Sequence, residues 1–475
     1  MKKRSVLLFT VCGIALFTLS GCAEKDSDEF EAYYSEVSDE DIQVDEEANF
    51  VDSQLLLTVA DGVPKDEIEN MIKANDGSVV GYISITNDYQ IEFNDGKTLD
   101  ELNAIVEEWE SNENIEAVTL NYASRREMLS VDYTKDPWID AKKSEDTSGM
   151  KWDENNPDGS NWWAEAIQMP SVWEMDEEFE PVKVGIIDTM FDIENEDLQD
   201  AFAENWNAQE DEDGNCNVTE LYQNDSRNTV YSHGTHVAGL IAAKAENGFG
   251  IAGVSQNAEL YGYSYMSASA ESAVMNQWDD LFETKYAMAL MLEKGVKVIN
   301  LSLGDGEMIV AAQNGVEKAL DALDKWSTSY EQFFSKCLNQ GYDFLLVHSA
   351  GNDNGHNWVT CEMSEEHPYG YETAEGNAIK GINQPIYHVE YDVFAAIENE
   401  EVEPHILIVG AAENHMGDYS IALFNNIGEQ IDVYAPGVDI LSDLPSNITG
   451  LKTGTSMAGS IVSGIASLVW GINPD

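Results

Sequence analysis

Near the end of the chain, Lys452-Thr453-Gly454-Thr455-Ser456-Met457-Ala458-Gly459-Ser460 crowds small residues around one hydroxyl. The apolar positions Ile461, Val462, Ile465, Ala466, Leu468 and Val469 then recur at helical spacing. Ser456 is therefore expected where a helix begins, where free N–H groups and the positive end of the dipole favour an anion. A serine there also serves as a plain helix cap. Its hydroxyl is a weak nucleophile without a base, so chemistry at Ser456 requires a base, an orienting group and an oxyanion donor elsewhere. Val184-Gly185-Ile186-Ile187-Asp188-Thr189 reads as a buried strand with a carboxylate at its C-terminal end. That edge is where open α/β sheets build sites, although an aspartate there can also cap the following helix. Tyr231-Ser232-His233-Gly234-Thr235-His236-Val237-Ala238-Gly239 opens a helix with two histidines on a similar face. No neighbouring Glu or Cys completes a zinc pattern. One histidine is then expected to be a base, and the other to pack and hydrogen-bond.

The chain order Asp188, His233, Ser456 resembles that of the subtilisin-like serine proteases. Four segments are similar to the family in sequence and order: Ile186–Thr189, His233–Gly239, Ser349-Ala350-Gly351-Asn352 and Gly454–Ala458. The resemblance runs from about Trp162 to the end of the chain. It implies a serine endopeptidase acting through an acyl-enzyme. Ser456 would attack the scissile carbonyl, His233 would move its proton, and Asp188 would hold the imidazole. Asn352 and the Ser456 N–H would bind the oxyanion. By the same resemblance Ser302, Leu303 and Gly304, which follow Val298–Leu301, would give main-chain hydrogen bonds to substrate residues before the cut. Two positions depart from the family: Met190 stands where it usually has Gly, and Gly459-Ser460 where it usually has a small residue and Pro. These departures motivate an alternative, a non-catalytic surface protein that uses the same scaffold to bind peptides or partners.

The elements that must position these residues alternate strand and helix. Apolar runs at Val182–Ile187, Leu260–Tyr265, Val296–Leu301, Phe344–Val347 and Ile406–Val409 are separated by helical patterns. This predicts a three-layer α/β/α domain on a parallel sheet, spanning 125–475, with an insertion from Cys361 to Glu403. Residues 51–124 instead read strand, helix, strand, strand, helix, strand, the βαββαβ or ferredoxin-like arrangement. By resemblance this small domain is a propeptide, a chaperone and inhibitor of its own enzyme. Self-cleavage is expected between Tyr122 and Ser130, where Arg125-Arg126 hints at a basic residue before the cut.

The chain starts with Met1-Lys2-Lys3-Arg4 and an apolar run, Val6 to Leu19, too short to span a bilayer well, then Leu19-Ser20-Gly21-Cys22. Residues 1–22 resemble a bacterial lipoprotein signal. That implies a lipid-modified Cys22 and an extracytoplasmic protein tethered to a membrane, or a secreted one if an ordinary signal is cut nearby. Residues 23–50, dominated by Asp, Glu and Ser, are expected to form a solvated tether. The chain carries 24 Lys and Arg against 89 Asp and Glu, a net charge of −65. Such a chain repels nucleic acid and suits basic substrates, calcium or a salty medium. Beyond Cys12 and Cys22, only Cys216, Cys337 and Cys361 remain, which gives no disulfide framework. Asp211-Glu212-Asp213-Gly214-Asn215 alternates oxygen ligands, so Asp211, Asp213 and Asn215 are candidate ligands of a structural calcium. No cofactor is expected for the chemistry, and the expected partners are a polypeptide substrate, the chain's own small domain and a membrane.

Overall fold

The computed structural model describes residues 30–37, 41–43, 49–94, 97–125, 127–128, 162–173, 175, 179–203, 231–245, 247–265, 278–304, 309, 312, 315–356, 358–360, 371–373, 387–415 and 418–474. They fall into two compact units. One takes the described residues up to Ser124 with Trp278–Lys294 and Asp324–Asp343; the other takes the rest.

The first unit is a seven-stranded sheet built on the chain's first half. Its strands are β1 (Ala32–Tyr33), β2 (Ile42–Gln43), β3 (Phe50–Val59), β4 (Gly77–Ile83), β5 (Asp88–Phe93) and β6 (Ile115–Arg125), with Trp278–Asp280 at one edge. The order is β1-β4-β5-β3-β6, then Trp278–Asp280, with β2 also against β3. The pairs β3–β5, β4–β5 and β3–β6 are antiparallel. Helices α1 (Lys65–Ala74) and α2 (Leu99–Trp109) are amphipathic and bury Ile68, Ile72, Leu102, Val106 and Trp109. Thr98 and Glu101 close a capping box at the start of α2. Later in the chain, Leu281–Glu293 and the part of Glu317–Asn339 from Asp324 onward join this unit.

The expected tether over 23–50 is corrected in part. Ala32–Tyr33 pairs with β4 and Ile42–Gln43 with β3. Val37 and Ile42 bury with Val51 and Ala123. Two-residue strands set in acidic sequence leave no period to detect, yet β4 and the start of β3 supply the backbone partners that fix them.

The second unit is the strand–helix body. Its main strands are β7 (Glu127–Met128), β8 (Val182–Asp188), β9 (Ala258–Ser264), β10 (Val298–Leu301), β11 (Leu303–Gly304), β12 (Leu345–Ser349), β13 (Ile406–His415), β14 (Asp418–Ile421) and β15 (Val433–Pro436), beside two small hairpins, Trp358–Thr360 with Tyr371–Thr373 and Ile440–Leu444 with Ile448–Lys452. The main sheet runs β14-β13-β12-β10-β8-β9, with β15 beside β13. All pairs are parallel except β14 on β13. Helix α3 (His233–Ala242) and the 18-residue α4 (Thr455–Ile472) pack against each other. Helix α4 is apolar enough to cross a membrane, but two-thirds of it is buried in the protein. Small residues let it lie close: a Cβ at Gly464 would come within 2.6 Å of the Val254 side chain.

The order of the strands locates the crevice. From β8 the chain goes to β9 on one side, then returns to β10 on the other. Such a reversal opens a cleft at the C-terminal ends of the strands. Asp188 ends β8, and Ser302 follows β10 directly.

Candidate active site

At the C-terminal edge of the parallel sheet, Asp188 and His233 meet. His233 is the first residue of α3, and its Nδ1 lies 2.7 Å from Asp188 Oδ1. Both side chains are fully buried. Asp188 Oδ1 also accepts the Thr189 N–H at 2.7 Å, which fixes the carboxylate plane. Thr189 Oγ1 accepts the Gly234 N–H, and the Thr235 hydroxyl accepts the Asp192 N–H. The loop after β8 is thus stitched to the first turn of α3. With Nδ1–H donated to a carboxylate, His233 presents Nε2, which is buried and has no hydrogen-bond partner. That is the tautomer a general base needs. Met190 is buried in this loop without parting the aspartate from the imidazole.

His236, one helical turn on, is used differently. It is fully buried, and its Nε2 lies 3.0 Å from the Ile440 carbonyl. Burial, with the nearby charges of Lys452 and His233, holds its pKa well below the usual histidine range. His236 therefore stays neutral and donates to a backbone acceptor. Spacing alone left the two histidines alike, and the resemblance chose His233; their partners differ, Asp188 for one and the Ile440 carbonyl for the other.

Ser456 is the second residue of α4, and its Oγ is buried without a hydrogen-bond partner. The Ser460 hydroxyl closes onto the Ser456 carbonyl at 2.7 Å, so the residue that replaces the family's proline braces this first turn. Asn352 follows Gly351, whose φ of +96° is in the left-handed region; a Cβ there would meet Asn426 Nδ2 at 2.2 Å. Asn352 Oδ1 accepts the Thr455 N–H at 2.8 Å and the Thr455 hydroxyl at 3.0 Å. With the carbonyl end held next to Ser456, the amide end is set. Asn352 Nδ2 is buried and has no partner. Thr455 is the positioning residue that sequence reasoning passed over, although it sits inside the motif around Ser456.

Ser302 Oγ accepts from Asn300 Nδ2 at 3.1 Å and from Ser349 Oγ at 3.3 Å, which ties the end of β10 to the end of β12. Beyond it, β11 pairs antiparallel with β7: Leu303 faces Met128 and Gly304 faces Glu127. The chain's own backbone thus lies along Leu303–Gly304. Cys22 and the acidic loop with Asp211, Asp213 and Asn215 lie outside the described residues. Among the described residues no group of three His, Cys, Asp or Glu could hold a metal.

A buried carboxylate–imidazole pair, an unpartnered alcohol at a helix start and an amide with a free N–H end, all on one edge of a parallel α/β sheet, define a serine hydrolase architecture. The subtilase family model matches residues 180–475, and the chain belongs to that family. It is 28% identical over 304 residues to the major intracellular serine protease of Bacillus subtilis (strain 168), covering 64% of this chain and 72% of that one. It is 26% identical over 372 residues to subtilisin NAT of Bacillus subtilis subsp. natto, covering 76% and 71%. Among solved structures, fervidolysin from Fervidobacterium pennivorans aligns at TM-score 0.55 and 19% identity, over 91% of this chain and 56% of that chain. The epidermin leader peptide processing protease from Staphylococcus aureus aligns at 0.50 and 16%, over 88% of each chain. These two share the fold. The chain is a serine-type endopeptidase, and its substrates are polypeptides.

Proposed function

We propose that Asp188, His233 and Ser456 form the catalytic triad of an extracytoplasmic, lipid-anchored endopeptidase made with its own inhibitor domain. The observation that carries this is the 2.7 Å Asp188–His233 contact with the far imidazole nitrogen, the Ser456 hydroxyl and the Asn352 amide all buried and unpartnered. Ser456 Oγ attacks the scissile carbonyl while His233 Nε2 takes its proton. The tetrahedral oxyanion is held by Asn352 Nδ2 and the Ser456 N–H. On collapse His233 gives the proton to the leaving amine, leaving an acyl-enzyme. Water, deprotonated by the same imidazole, then releases the acid. Asp188 stabilises the imidazolium in both halves without taking its proton. A small fluorophosphonate is expected to label Ser456 in the parent and not in Ser456→Ala. Clean failure of the parent to label would return the protein to the peptide-binding alternative.

The unit of residues 51–124, with its βαββαβ order, is read as the propeptide-like domain. The β7–β11 pairing supports this reading, because it lays the chain's own residues on the proposed substrate strand. If Glu127 and Met128 occupy positions before the cut, the scissile bond lies after Met128. The basic pair Arg125-Arg126 is then too early to flank it. N-terminal sequencing of the processed protein is expected to begin beyond Met128, and Ser456→Ala is expected to remain uncut. The lipid anchor at Cys22 and a structural calcium at Asp211, Asp213 and Asn215 belong to the same proposal. Globomycin-sensitive processing would test the anchor, and calcium-dependent melting would test the metal.

A further inference from the structure

We propose that His348 is a positioning residue for peptide cleavage: paired with Asp392, it fixes the Leu301–Ser302 peptide from which the substrate strand departs. The inference rests on the reading of Ser302–Gly304 as that strand. His348 is the penultimate residue of β12 and the register partner of Leu301, the last residue of β10. Its Nδ1 lies 3.2 Å from the Leu301 carbonyl oxygen, and its Nε2 lies 3.1 Å from Asp392 Oδ2. Both partners are acceptors, and the ring N–H on the Leu301 side donates to the carbonyl oxygen while Asp392 holds the far side of the ring. The His348 and Asp392 side chains are only 1% and 8% exposed.

Asp392 cannot swing freely. Its Oδ1 accepts the Phe394 and Ala395 N–H groups at 3.0 and 3.2 Å. The Phe394 ring lies against the imidazole, with centroids 4.8 Å apart. The segment that brings Asp392 is itself anchored: Tyr387 N–H donates to Asn354 Oδ1, and Val389 N–H to the Ile427 carbonyl, both at 2.9 Å. The C-terminal part of the insertion is thus a buttress behind the strand ends. Asp353, next to Asn352, is the other carboxyl in this field. Burial raises its pKa, and the charge of Asp392 adds to the shift. His348 bonds neither Asp188, His233, Asn352 nor Ser456. It acts through the backbone, at the one carbonyl that precedes Ser302.

The test separates short from long substrates. A small fluorophosphonate reaches Ser456 without using Leu303–Gly304, whereas a hexapeptide must pair with them. His348→Ala is expected to label at the parental rate within about twofold. It is expected to lose roughly 10- to 100-fold in kcat/KM on the hexapeptide, mostly through KM. His348→Asn keeps a donor near the Nδ1 position and is expected to restore most of the loss. His348→Gln, which reaches toward Asp392 but not Leu301, is expected to restore little. Equal losses in labelling and hexapeptide cleavage, or no loss on the hexapeptide, would overturn the inference. If the alanine variant does not fold, the ranking of Asn above Gln on the hexapeptide decides, and equality or reversal sinks the proposal. A parent that never labels would remove the protease-site reading first, and this inference with it.

Discussion

The two seven-stranded sheets bury polar groups in opposite ways. In the antiparallel one, Asp88 is closed off on every side. Thr58 Oγ1 and Lys285 Nζ approach its Oδ1 at 2.5 and 3.3 Å, and Thr86 Oγ1 its Oδ2 at 2.6 Å. Lys285 is completed by Ser329 Oγ at 2.7 Å. A second chain runs through Gln90, Gln54, Asn121 and Asp280. In the parallel sheet, Asp188 Oδ2, His233 Nε2, Asn352 Nδ2 and Ser456 Oγ are left open at one edge. An orphaned buried group typically costs about 1–3 kcal/mol. Orphans also occur in the first sheet, at Asn49, Thr119 and Asn121 Oδ1, but not in a set with a nucleophile and a base. The lesson is that a closed polar network holds a structure, whereas an open one waits for a ligand.

Substitutions on the two sides should break differently. Asp188→Asn is expected to lower kcat by about 10⁴, the magnitude known for this change in a serine protease of another fold. Its melting temperature should move little, and an active Asp188→Asn would end the triad reading. Lys285→Met strands a buried carboxylate and is expected to cost about 3–5 kcal/mol in denaturant unfolding. An unchanged unfolding midpoint would show that the Asp88 network is not closed as described. Asn352→Ala should cost about 10²–10³ in kcat, a magnitude established in a subtilisin and not deduced from this site, with the fold intact. If KM rises instead while kcat holds, the amide binds ground-state substrate and not the oxyanion.

The smallest effect concerns a pair that belongs to neither class. Burial, with the charges of Asp197 and Asp192, holds the Asp443 carboxyl well above the usual range, and burial raises Asp197 too. The folded state then keeps a proton that the unfolded chain has released. Stability from this pair falls as pH rises from the ordinary carboxylate pKa, about 4, toward the raised value. The parent is expected to melt higher at about pH 5 than at about pH 7, and Asp443→Asn to lose most of that difference. A difference of the same size in the variant would assign the slope to other groups.

Much of the frame could be read from the sequence because it repeats locally. The periodic faces of Lys65–Ala74 and Leu99–Trp109 and the apolar runs of the parallel strands have signals a few residues long. The residues around Ser456, His233 and Asp188 carried their own local patterns. What stayed hidden depends on partners far along the chain. Thr455 orients an amide 103 positions away, and His348 reaches a carboxylate 44 positions away. Neither spacing leaves a trace in a window. The same holds for Lys285, which sits in an apolar helical pattern and is 197 positions from Asp88. The resemblance singled out His233 of the pair, but the carbonyl that His236 meets, 204 positions on, could not be read from the sequence.

The β7–β11 ladder has a kinetic consequence. A segment attached to the same molecule rebinds at an effective concentration of about millimolar, however dilute the protein. If substrate pairs there as proposed, an outside peptide must outcompete that resident strand for the Leu303–Gly304 backbone. Dilution cannot relieve such occupancy; only severing the leash and losing the piece can. Progress curves started from freshly folded protein should therefore open with a lag whose length is indifferent to enzyme concentration.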